Sequence, residues 1–138
     1  MHTPLIKKVF YSLVFIFILI ICYFLIPWPP SIKRSMFFIT AILGFIFLLL
    51  GVLLKILAKK EHGKPKFFLM LTAYSAILPF VSAILHNLFY GLAVFFNDNI
   101  VLKYFFEGLH VSFFIIAVVV APLLFIIGSV GTIIYLRK

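Results

Sequence analysis

Acid is what this chain has least of. Only Glu61, Asp98 and Glu107 carry carboxylates, against 12 lysines and arginines in 138 residues. A di-iron carboxylate bundle needs four inward glutamates and two Glu-x-x-His pairs, so three carboxylates exclude it. Cysteine is nearly as scarce. Cys22 is the single thiol, so the chain can form no internal disulfide and has no C-x-x-C motif. That also excludes the quinone-linked thiol oxidoreductases of membranes, which need paired cysteines. Within its apolar run Cys22 reads as a small apolar filler. There is no glycine-rich phosphate loop, no H-E-x-x-H and no nucleophile–base–orienter set. The first apolar run lacks the glutamate that proton-coupled small multidrug transporters carry there. No acid falls near the centre of any apolar run. The sequence therefore points away from an enzyme.

Charge of both signs is sparse as well. Charged residues make up 11% of the chain, against about 25% in a soluble domain. Hydrophobic residues make up 66% and aromatics 19%. A soluble domain of this size could not hide so much apolar surface, because small domains leave a large share of it in contact with solvent. The expected solvent is lipid. The net charge of +9 does not imply nucleic acid, because the basic residues form no single patch. They sit at the ends of apolar runs, as in membrane proteins.

The runs predict one all-α transmembrane domain over residues 1–138, an antiparallel four-helix bundle with spans near 9–26, 36–57, 67–96 and 102–136. Lys7 and Lys8 precede the first run, but that run is longer than a signal-peptide core and ends in Pro27-Trp28-Pro29-Pro30, not a small-residue cleavage site. The prolines should stop the helix, and Trp28 stands where an interfacial aromatic belongs. Ile32-Lys33-Arg34-Ser35 reads as the rest of a hairpin loop. On the second helix Thr40, Gly44 and Gly51 share a face where another helix could approach, and Lys55 should reach for the headgroups. Lys59 to Lys66 is the one strongly polar segment. It reads as a topology signal, and its lysines could also meet anionic headgroups. Pro79 should kink the third helix unless its freed carbonyl is satisfied. Asn97-Asp98-Asn99 predicts a turn, with Asp98 or Asn99 capping the fourth helix.

One side of this arrangement collects Lys7, Lys8, Lys55, Lys59, Lys60, Lys64, Lys66, Arg137 and Lys138; the other collects Lys33, Arg34 and Lys103. The positive-inside rule then predicts cytoplasmic termini, in the cell membrane.

Polar groups at membrane depth are costly and are the place to look for function. Ser75, Pro79, Ser82, His86 and Tyr90 fall on one stripe of the third helix. Glu107 and His110 share a face of the fourth. His86 lies 12 residues before Asp98 and His110 lies 12 after it, so a hairpin turning at Asp98 should set them level. The expected site is a hydrogen-bonded cluster of His86, Tyr90, Glu107 and His110, with Asn87 in reach. Glu107 could instead pair with Lys103 at i,i+4. His62, in the polar connection, has no obvious partner.

Three functions are compatible with these residues. The first is a non-catalytic interaction or accessory protein whose partners are the lipid bilayer and other membrane proteins or a second copy. The second is an oligomeric transporter or channel lined by the stripe on the third helix. The third is metal or haem binding through His86 and His110, with Glu107 as a further ligand. The sequence names no cofactor.

Overall fold

The computed structural model describes residues 4–137, nearly all of them helical and none of them in a strand. The helices are α1 (Pro4–Leu25), α2 (Pro30–Ala58), α3 (Gly63–Phe95) and α4 (Ile100–Leu136). All four are long and apolar enough to cross a membrane. Their outward faces are strongly apolar: Leu25, Phe38, Phe95 and Val101 are each at least three-quarters exposed.

The helices start earlier than the apolar runs suggest. Pro30 opens α2 at its first turn, where a proline loses no hydrogen bond and its fixed φ already suits a helix. Ile32, Lys33, Arg34 and Ser35 are thus helical and not loop. The Tyr23 hydroxyl clips the start of α2 to the end of α1 by donating to the Lys33 carbonyl at 3.2 Å. At the next connection, Gly63 begins α3 with φ +66°. A side chain is strained in that left-handed region, which suits glycine. Lys64, Pro65 and Lys66 therefore sit in the first turn of α3, leaving Lys59–His62 as the connection. Between α3 and α4 the turn forms at residues 96–99. Asn99, not Asp98, is the cap: its side-chain oxygen accepts from the Leu102 amide at 3.1 Å.

Two prolines lie inside helices, with different results. α3 continues unbroken through Pro79. In α4 the segment Ile116–Val120, just before Pro122, widens to a π-turn in which the Ala121 amide bonds to the Ile116 carbonyl.

Packing is concentrated at the end that carries the Lys59–His62 connection. Ile6, Phe10 and Leu13 of α1, Leu54 and Ala58 of α2, Leu69, Ala73 and Ala76 of α3, and Phe125 and Leu136 of α4 belong to one buried cluster. Phe17, Phe47 and Phe125 join three helices at its edge, with ring centroids 4.4 to 6.2 Å apart. Glycine allows the closest approaches. A Cβ at Gly51 would lie 2.9 Å from the Ala76 Cβ, and one at Gly128 would lie 2.8 Å from the Thr72 backbone nitrogen. The Lys55 ammonium does not extend freely outward; it lies 4.9 Å over the Tyr74 ring. Away from this end the chain is looser, and the segment Ile100–Ile115 of α4 has no buried residue.

Candidate functional site between the third and fourth helices

α3 and α4 meet near the 97–99 turn through two ladders of rings. At about 100° per residue, Phe89 and Phe96 flank one side of the buried Ala93, and His86 and Tyr90 flank the other. On the first side Phe96, Phe106, Phe89 and Phe113 stack in succession at 5.5 to 6.1 Å. The second side holds the polar residues. The His86 ring stacks on that of His110 at 4.1 Å, with Tyr90 5.3 Å from His110 and Phe114 5.6 Å from His86.

The equal counts from Asp98 thus bring the two histidines level, but the contact differs from a network of side-chain hydrogen bonds. It is made by ring faces and by a single bond to the backbone. His86 Nδ1 lies 3.0 Å from the His110 carbonyl oxygen. A carbonyl only accepts, so Nδ1 is the donor in that bond. His110 Nδ1 is buried without a partner.

The remaining candidates divide. Tyr90, Glu107 and His110 line one cavity of about 480 Å³, together with Asn97, Lys103 and Val111. Asn87 does not join them. It is exposed, and its amide donates to the Ala83 carbonyl of its own helix at 2.9 Å. Glu107 does not pair with Lys103 either, because the Lys103 ammonium donates instead to the Asn97 side-chain oxygen at 2.9 Å. Along the rest of the stripe, Ser75 turns its hydroxyl back onto the Leu71 and Thr72 carbonyls of α3. Ser82, 1% exposed, has a hydroxyl without a partner. A hydroxyl bonded to its own helix and another sealed from solvent do not make a continuous polar lining.

No family model matches the chain, and neither a curated protein nor a solved structure matches it.

No group of three or more His, Cys, Asp and Glu side chains able to hold a metal ion occurs among the described residues. Two axial imidazoles of a haem lie on opposite faces of the porphyrin, whereas these two lie face to face. What the arrangement offers is a partly polar pocket beside an aromatic seam. The phenylalanine ladder is the part that sequence reasoning missed. Its signal was present, since Phe89 and Phe96, like Phe106 and Phe113, are seven residues apart and share a face. Lys103 was signalled by its place one turn before Glu107, whereas Asn97 and Val111 had no comparable signal.

Proposed function

We propose that this is a non-catalytic accessory protein of the cell membrane. It is an antiparallel four-span bundle with both termini cytoplasmic, and it docks a transmembrane helix of a partner between the far ends of α2 and α3. The membrane part rests on the four apolar helices. The orientation rests on the nine-to-three division of basic residues.

The observation that carries the docking is the contrast between two sets of glycines. Inside a helix, glycine costs about 1 kcal/mol relative to alanine. Gly51, Gly128 and Gly131 offset that cost, because a neighbour fills the space a Cβ would need. Gly44, Gly91 and Gly108 do not, since nothing lies within 4 Å of a Cβ added at any of them. Of these, Gly44 and Gly91 continue the faces that meet further along. Gly44 is seven residues before Gly51, about 20° away around α2, and Gly91 is about five turns beyond Ala73 on α3. The small-residue faces of α2 and α3 therefore touch at one end and run on unpartnered at the other. Asn87 points the same way, about 40° from Ala73, with one amide proton and its carbonyl oxygen left over. Small residues with an amide suit a close helix–helix contact in lipid. The partner is another membrane protein or a second copy.

Photoactivatable side chains at positions 44 and 91 test this in native membranes, with Phe15 on the open face of α1 as the control. The expected result is protein adducts from 44 and 91 and lipid adducts alone from 15. Lipid adducts alone from all three positions would refute the docking.

A further inference from the structure

Lys103 and Glu107 stand one turn apart on α4 and line the same cavity, yet they make no ion pair. At i,i+4 opposite charges are within reach of each other. Here the ammonium is drawn toward Asn97, 2.9 Å away, and no hydrogen bond or ion pair among the described residues engages the Glu107 carboxylate. The wall opposite is the Tyr90 ring. Tyr23 and Tyr74 each have a lysine over the ring face; no such cation covers Tyr90 among the described residues. One cavity thus presents a cation with spare donors, a carboxylate with spare acceptors, the exposed Tyr90 ring tilted 5.3 Å from that of His110, and the apolar Val94 and Val111.

We infer that this cavity binds a zwitterion: a phosphate ester carrying a primary ammonium group, as in the phosphoethanolamine headgroup of a phospholipid. The phosphate takes the free protons of Lys103. The ammonium donates to Glu107 and lies against Tyr90, both contacts strengthened by its charge. Glu107 selects a primary ammonium over a trimethylated one, which has no N–H to donate, and one tyrosine face is not the cage of several rings that quaternary ammonium needs. Val94 and Val111, about half exposed or more, continue the groove as an apolar strip on which an acyl chain can lie. A cavity of about 480 Å³ falls in the range of small-molecule sites. The inference rests on the membrane placement proposed above, and not on the docking or the orientation.

The test uses the whole protein in detergent, stripped of lipid and offered phosphatidylethanolamine, phosphatidylglycerol or phosphatidylcholine, with retained lipid counted by native mass spectrometry. Wild type should retain phosphatidylethanolamine roughly tenfold over either competitor, the difference expected from one charge-assisted hydrogen bond. Glu107→Gln should bring that ratio to about one. Val111→Trp, which fills the groove and leaves both charges in place, should lower phosphatidylethanolamine retention to the competitor level. Displacement by soluble phosphoethanolamine at equal concentration would assign the free compound as ligand, and resistance to it would assign the lipid. Equal retention of the three lipids by wild type, or a preference that survives Glu107→Gln, would overturn the inference. A protein that needs no detergent to leave the membrane fraction would overturn the membrane placement instead, and the two failures are distinguishable.

Discussion

One methyl group added at Gly128 and one added at Gly108 should move the stability of this protein in opposite directions. Both glycines lie inside α4, so Gly→Ala at either gains about 1 kcal/mol of helix propensity. Their surroundings then decide the sign. At Gly108 nothing lies within 4 Å of the new carbon, so the gain stands and the variant should be about 1 kcal/mol more stable. At Gly128 the new carbon would lie 2.7 Å from Thr72 Oγ1, 2.8 Å from its amide nitrogen and 3.1 Å from its Cα. Two of these are backbone atoms, held by the helix ladder of α3. The hydroxyl is no freer, since it already donates to the Phe68 carbonyl at 2.9 Å. Overpacking a well-filled site costs typically about 1–3 kcal/mol, and a clash with backbone belongs at the upper end. The net loss should be about 2 kcal/mol, which puts the two variants about 3 kcal/mol apart. Unfolding in graded detergent mixtures, followed by circular dichroism, measures that difference. If both substitutions stabilise the protein, or if Gly108→Ala is the damaging one, then α3 and α4 do not approach each other at Thr72 and Gly128.

Two further predictions follow from the site and the topology. His86→Ala removes the ring stacked on His110 and the bond to its carbonyl and should lower stability by about 1–2 kcal/mol; His86→Phe, which keeps a ring there, should lose less, and an equal or larger loss would show that the stack is not what holds the hairpin. A reporter active only in the cytoplasm should work when fused after Lys138 and be silent when inserted at Asp98, and the reverse result would invert the proposed orientation.

Much of the helical pattern could be read from the residues because apolar runs of this length leave few alternatives. A chain without enough polar groups to face water, in apolar runs long enough to span, has few ways to satisfy its backbone other than helices. The helix starts were harder to read, since Pro30 and Pro65 look like breakers and act as first-turn residues. The pairing of His86 with His110 was legible because a hairpin with a short turn sets residues equidistant from that turn level. Its chemistry was not legible. Which ring faces which, and which carbonyl lies within reach of Nδ1, depends on rotamers chosen by Phe114 and Tyr90, and counting along the chain does not contain that. Glu107 was misjudged for a related reason: the i,i+4 rule knows nothing of Asn97, which lies in the turn and takes up the lysine.

The π-turn at Ile116–Val120 has a consequence for which changes in chain length α4 can absorb. A wide turn holds one residue more than a regular one, so every side chain after it is rotated by roughly 100° from where an unbroken α-helix would point it. Both halves of α4 are locked to α3, the first by His110 on His86 and the second by Gly128 on Thr72, so the wide turn sets the phase between two fixed contacts. Deleting Val118 would let the helix close up into regular hydrogen bonding, and because the lost residue and the lost wide turn shift the phase by about 100° in opposite senses, both contacts would stay turned toward α3. Within α4, length is therefore an angular quantity: a residue lost at the turn is absorbed where the helix closes up, whereas a residue added there, if the turn widens no further, is felt as a rotation of about 100° at Gly128, about two turns away.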